Sequence, residues 1–161
     1  MIRIEKLLDE SAEHSATLSL PIDQRVRSRL KVTLDDGQEA GLFLPRGKVL
    51  RGGDLLQSTQ GLVIQVVAAP ETVSTVRSAD AYALARACYH LGNRHVPLQI
   101  TAQWVRYKHD HVLDEMIAGL GLSAEVEQAP FEPEAGAYQS AAHHHGDSHQ
   151  HKHQHNHEHS H

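Results

Sequence analysis

The chain lacks most of the features that assign a sequence to a class at first sight. Among its 161 residues Cys88 is the only cysteine, so no disulfide can form within the chain, which fits a reducing compartment. No run of 18 apolar residues occurs, so no segment reads as a membrane-spanning helix. The opening residues Met1-Ile2-Arg3-Ile4-Glu5-Lys6 have no apolar h-region, so a secretory signal is not expected and a cytoplasmic location is. Basic residues are not in surplus either: 15 Lys and Arg against 20 Asp and Glu leave a net charge of -5. That balance argues against a nucleic-acid-binding body, which needs cations to neutralise phosphates. The signatures of common enzymes are missing as well. There is no HExxH and no GxSxG, and Arg46-Gly47-Lys48-Val49 lacks both the upstream glycine spacing and the Ser/Thr of a phosphate-binding loop. A metallohydrolase would need a general base beside its metal, and the one candidate, Asp110, reads as a helix cap. The chain is therefore not expected to be an enzyme.

What is abundant is imidazole. Fifteen residues are histidine, and ten of them fall in the last nineteen positions: His143, His144, His145, His149, His151, His153, His155, His157, His159 and His161. This stretch contains no Val, Ile, Leu or aromatic residue, so it has nothing to bury against an ordering cost of about 1–2 kcal/mol per residue, and it is expected to be disordered. Neutral imidazole is the commonest protein ligand for Zn, Ni and Cu, and a flexible chain can wrap several around one ion. An unperturbed histidine titrates near ~6.5, so loading should weaken steeply towards pH 6. A purification tag is usually a regular run, whereas here Gln, Lys, Asn, Glu and Ser separate the histidines irregularly. The composition reads as a metal-binding tail.

The remaining 142 residues change texture near residue 75, giving expected divisions 1–74, 75–142 and 143–161. In the first, Ile2–Leu8, Ala16–Leu20, Ser28–Leu34, Glu39–Leu44 and Leu62–Val67 look extended, and Asp35-Asp36-Gly37 is a hairpin turn. No helical period shows, and the region reads as a small all-β domain. The second half alternates. Strand-like Glu71–Arg77 precedes a helix capped by Ser78 or Asp80, with the stripe Ala81, Leu84, Ala85, Cys88 and Leu91, and with Gly92 at the left-handed C-terminal position. Pro97–Tyr107 reads as two strands turning near Thr101–Gln103. Asp110 caps a second helix with the stripe Leu113, Met116, Ile117 and Leu120, stopped by Gly121, and Ser123–Gln128 is a last strand. The order β-α-β-β-α-β is that of a ferredoxin-like domain, and the whole is α+β. Cys88, on the apolar stripe, reads as a core residue. Two domains of about 70 residues are each marginal alone, and a dimer is one remedy.

Five histidines lie outside the tail. His14 sits in a polar stretch and is expected in solvent, and His90 near a helix C-terminus suits the dipole there. His95 lies in the exit loop Gly92-Asn93-Arg94-His95-Val96-Pro97, where function tends to concentrate, and two copies across a dimer axis would supply paired ligands. His109 and His111 flank Asp110 at a strand–helix junction. That pair can chelate a metal, although capping alone would explain its middle member.

Three runs carry a resemblance: Gly41-Leu42-Phe43-Leu44-Pro45-Arg46-Gly47, Tyr89-His90-Leu91-Gly92-Asn93-Arg94-His95-Val96-Pro97-Leu98 and His109-Asp110-His111-Val112-Leu113-Asp114. With the His-rich end, they make the chain similar to the UreE family of urease accessory nickel metallochaperones over nearly its whole length. The resemblance implies a homodimer in which His95 of each protomer binds Ni(II) at the interface, with His109 and His111 taking additional metal in some relatives. It implies delivery of nickel towards urease through the urease accessory GTPase and the urease pre-activation complex. It also implies an N-terminal domain that docks partners, here through Arg25, Arg27 and Arg29, although a solvated basic strand would look the same. All-imidazole coordination suits Ni(II) but does not exclude Cu(II) or Zn(II) in vitro. The rival reading is a general nickel or zinc store, which needs capacity but no folded delivery site.

Overall fold

The computed structural model describes residues 1–137; the disorder expected for 143–161 and the ten histidines there lie outside the described residues. The first 68 residues form β1 (Ile2–Leu8), β2 (Ala16–Leu20), α1 (Ile22–Arg25), β3 (Arg29–Thr33), β4 (Glu39–Phe43), β5 (Leu55–Ser58) and β6 (Val63–Ala68). The strands make one mixed sheet in the order β2-β6-β5-β1-β4-β3, with β1–β4 and β2–β6 parallel and the remaining pairs antiparallel. Period-two alternation decides which side chains enter the core: Leu18 and Leu20 from β2, and Ile64, Val66 and Ala68 from β6. Leu18, Leu20, Ile64 and Val66 meet Ile4, Val32, Leu42, Leu50 and Leu56 in one apolar cluster. The Asp35-Asp36-Gly37 turn closes the β3–β4 hairpin, with Gly37 at φ 93°, where a side chain would be strained.

Two elements depart from the sequence reading. The four-residue strand β5 follows directly on the turn signals Gly52-Gly53-Asp54 and is too short to show alternation, yet it sits between β1 and β6. The single helical turn α1 is shorter than any period that hydrophobic spacing can reveal.

The second unit contains β7 (Glu71–Arg77), α2 (Ala81–Gly92), β8 (Gln99–Ile100), β9 (Trp104–Lys108), α3 (His111–Gly119) and β10 (Ala124–Ala129). Its sheet runs β10-β7-β9-β8 with every neighbouring pair antiparallel. All of β7 pairs within this sheet, so the second unit takes in residues 71–74, ahead of the change of texture near 75. The mixture of strands and a few helices over two units is an α+β architecture. The helices cover the sheet with Leu84, Ala87 and Leu91 from α2 and Leu113 and Ile117 from α3. The buried face of α2 is rotated from the expected stripe: Ala81 and Ala85 are exposed, Ala87 is buried and Cys88 is half-buried. Asp80 and Asp110 are the N-caps, Asp80 accepting a hydrogen bond from the N–H of Tyr82 and Asp110 from those of Val112 and Leu113. No helix among the described residues is long and apolar enough to cross a membrane.

A small third cluster, Ile22, Val73 and Phe131, joins the two units. Beside it the Arg25 side chain is fully buried. Its guanidinium donates to the carbonyls of Leu20 (3.0 Å), Leu50 (3.1 Å) and Phe131, and pairs with Glu132. Residues after β10 are thereby strapped across both units.

Candidate metal centre

The end of α2 sets the position of His95. The Val96 N–H donates to the Leu91 carbonyl (3.5 Å) and the His95 N–H to the Gly92 carbonyl (3.0 Å). These two bonds make the Schellman pattern, which needs one left-handed residue to turn the chain back. That residue is His95, at φ 56°, the one non-glycine residue with positive φ among those described. Gly92 is not the cap, contrary to expectation: it is the last residue of α2, and the backbone stays helical through Asn93 at φ -62°. Two further residues, Asn93 and Arg94, carry the turn past the glycine to a histidine. A non-glycine residue in this conformation costs about 1–2 kcal/mol, and such strain concentrates at functional positions. The His95 residue is exposed.

His109 and His111 sit at the junction of β9 and α3. The His109 N–H donates to the Thr72 carbonyl (3.1 Å), which fixes its backbone against β7. Its ring Nδ1 lies 3.1 Å from Asp114 Oδ2 and 3.1 Å from Ser74 Oγ. Asp114 also accepts a hydrogen bond from the Tyr107 hydroxyl. Burial, and then the hydrogen bond to Asp114, push the Tyr107 phenol well above its ordinary range, so it remains a donor. His111 is the exposed first residue of α3. Between the two histidines, Asp110 Oδ1 accepts from the N–H groups of Val112 (2.8 Å) and Leu113 (3.2 Å). The middle member of His-x-His therefore serves the helix terminus.

The topology brings these residues to one end of the second sheet. β9 leaves the sheet opposite the start of β7, where Lys108 pairs with Val73, and β10 finishes at Ala129 opposite Glu71. The α2–β8 loop enters from the same end, because β8 is antiparallel to β9. His95, His109, His111 and the root of the C-terminal segment thus share one rim. Among the described residues, however, no three His, Cys, Asp or Glu side chains come together as a metal cluster. Further ligands to an ion on this rim have to come from elsewhere.

The remaining candidates separate clearly. Arg27 and Arg29 are exposed, but Arg25 is spent on internal partners and presents nothing to a docking protein, which corrects its assignment to a partner surface. On the exposed side of the first sheet, Arg29 instead shares the Phe43 ring with Arg3, whose guanidinium lies 4.0 Å from the ring centroid. Cys88 packs against the second core, and burial pushes its thiol up, away from the thiolate a metal needs. His14 is exposed, while His90 is half-buried with its ring edge-on to Tyr89 at 5.2 Å. Sequence reasoning missed Asp114, Tyr107 and Ser74. A weak signal existed for Asp114, one helical turn beyond the Asp110 cap and following a histidine pair.

Comparison with known proteins agrees over both units. Residues 3–69 match the model of the UreE urease accessory protein N-terminal domain, and residues 71–161 match that of the C-terminal domain. A protein named urease accessory protein UreE from Pseudomonas putida (strain W619) is 62% identical over 144 residues, covering 89% of each chain. One of the same name from Enterobacter sp. (strain 638) is 60% identical over 144 residues, covering 89% of this chain and 95% of its own. One from Citrobacter koseri is 55% identical over 152 residues, covering 92% of this chain and 100% of its own. A chain matched over both halves, with an exposed left-handed histidine at the rim of its second sheet, belongs to the UreE urease accessory protein family.

Proposed function

We propose that this chain is a nickel metallochaperone that binds Ni(II) through histidines and passes it to the urease accessory GTPase and the urease pre-activation complex. Its membership of a urease accessory family supports the destination. The observation that carries the binding is His95: exposed, at φ 56°, in a position where glycine would be cheaper. One imidazole is a weak site, so the tightest site is shared by two His95 residues across a homodimer, open enough at its rim for an incoming partner to exchange ligands. His109 and His111 take further metal on the same rim. The strand order β10-β7-β9-β8 supports reading the second unit as a ferredoxin-like domain that holds this rim rigid.

The ten tail histidines act as a reservoir. Its root is well placed: the Glu134 N–H donates to the Leu98 carbonyl (2.6 Å) and the Glu132 N–H to the Gln99 side chain (3.0 Å), three and four residues beyond His95. The site does not exclude Zn(II) or Cu(II), so selectivity for nickel comes from availability and from the partner. The N-terminal unit docks partners through Arg27 and Arg29, and the protein works in the cytoplasm without catalysing a reaction of its own.

Nickel titration with metal counting and molar-mass measurement tests this on the full chain, on a chain ended after Ala142 and on His95→Ala. The shortened chain should keep the dimer and the tightest site but bind fewer ions, and loss of all binding on truncation overturns the two-tier arrangement. His95→Ala should lose the tightest site and slow nickel transfer to the GTPase. The density of tail histidines also suits a general metal store; normal transfer by His95→Ala with the tail intact would favour that reading instead.

A further inference from the structure

We propose that Asp114 is a positioning residue for His109: its carboxylate holds the Nδ1 proton, sets the tautomer of the ring and leaves Nε2 as the atom that takes metal. The inference rests on the reading of the rim histidines as nickel ligands. Its geometry is independent of that reading. Asp114 uses one oxygen for each neighbour, Oδ1 for the Tyr107 hydroxyl and Oδ2 for His109 Nδ1. An ionised carboxylate has no proton to give, so the 3.1 Å contact of Oδ2 with Nδ1 is favourable only when that nitrogen carries the hydrogen. The Ser74 hydroxyl, 3.1 Å from Nδ1, can accept from a protonated Nδ1 or donate to a bare one, so the carboxylate decides: the opposite tautomer would set the Nδ1 lone pair against it. With hydrogen on Nδ1, a neutral ring carries its lone pair on Nε2, which has no hydrogen-bond partner among the described residues.

The support behind Asp114 is rigid. Tyr107 and Ser74 are fully buried, and the Asp114 side chain is only 20% exposed, against 36% for His109. Helix capping does not account for this carboxylate. Asp110 already fills the cap, and Asp114 reaches across from the first turn of α3 to Tyr107 on β9 and to His109 just beyond it, rather than back to its own helix. The result is a carboxylate–histidine pair with the outer nitrogen bare, the arrangement that orients imidazole ligands and raises their basicity at metal sites. It supplies one pre-aimed ligand, which fits an ion completed by groups from outside this cluster.

Long-range proton–nitrogen NMR of the metal-free full chain at mildly alkaline pH reads the tautomer directly. His109 should carry its proton on Nδ1 in the wild type and shift to Nε2 in Asp114→Ala. Asp114→Asn, whose amide oxygen still accepts, should keep the wild-type tautomer. A wild-type ring protonated on Nε2, or a tautomer unmoved in Asp114→Ala, overturns the proposal. In nickel titrations, Asp114→Ala should weaken the site that His109→Ala removes by about 10- to 100-fold, with Asp114→Asn recovering most of the loss. Unchanged affinity in Asp114→Ala, beside a loss in His109→Ala, also overturns it. Binding indifferent to His109→Ala would remove Nε2 as a ligand, while leaving the His95 site and the proposed function to be judged on their own titration.

Discussion

Helices α2 and α3 end in the same hydrogen-bonded turn with different residues at its left-handed position. At α3 the Leu122 N–H donates to the Ile117 carbonyl (3.2 Å) and the Gly121 N–H to Ala118 (3.0 Å), with Gly121 at φ 82°. At α2 the same two bonds run from Val96 to Leu91 and from His95 to Gly92. In both, the residue after the turn, Leu122 or Val96, packs on the core that holds Ile117 and Leu91, as the pattern requires. One end thus has the residue that sterics favour, and the other carries a histidine at a conformational cost. The difference marks which end is shaped by folding alone and which by a second demand.

The largest effect should come from imposing the cost where it is absent. A Cβ at Gly121 would meet nothing within 4 Å, so Gly121→His tests backbone strain without a clash. It should destabilise the chain by about 1–2 kcal/mol, seen as a lower urea midpoint at unchanged slope. An unchanged midpoint would mean that the left-handed position is not costly in this fold, and the comparison would lose its meaning.

Removing the cost at the other end is the converse. His95→Gly should raise stability by about 1 kcal/mol in the same denaturation experiment, while abolishing the tightest nickel site. Gain of stability together with loss of binding is the signature of strain held for function. A variant that loses both would make His95 a structural residue.

The sequence alone discloses much of this frame but not its decisive detail. The strands β1 and β2, the Gly37 hairpin and the Asp110 cap follow from alternation, turn chemistry and capping, all set within a few residues. Gly121 is legible for the same reason. His95 is recognisable as an exit-loop histidine, but its backbone is not, because Gly92 offers a more conventional terminus three residues earlier and only the packing of Val96 decides between them. Arg25 is harder still: its burial depends on Phe131 and Glu132, more than a hundred residues away, and nothing local distinguishes it from exposed Arg27 and Arg29. Asp114 fails for a related reason, since its link to His109 is held by Tyr107 and Ser74, which come from two different strands.

Gly92 itself gives a smaller test of where α2 stops. It is helical, exposed, and open to an added Cβ. Gly92→Ala should therefore stabilise by about 0.5–1 kcal/mol with nickel binding intact. A loss of stability would restore Gly92 as the left-handed cap and remove His95 from that role.

Exchanging the two residues should produce the smallest change in stability and the sharpest test of position. Helix α3 begins at the rim where α2 stops and runs about 13 Å from it over its nine residues, so its end lies away from that rim. Changes at separated sites add to within about 0.5 kcal/mol, and the double variant His95→Gly with Gly121→His should have nearly wild-type stability. It keeps the histidine count, the tail and the number of strained positions, and moves only one imidazole to the far end of the domain. If nickel binding needs the rim shared with His109 and His111, the tightest site should be lost despite the restored ledger of histidine and strain. Recovery of that site in the double variant would show that an exposed left-handed histidine suffices wherever it stands, and that the convergence at the rim has no part in binding.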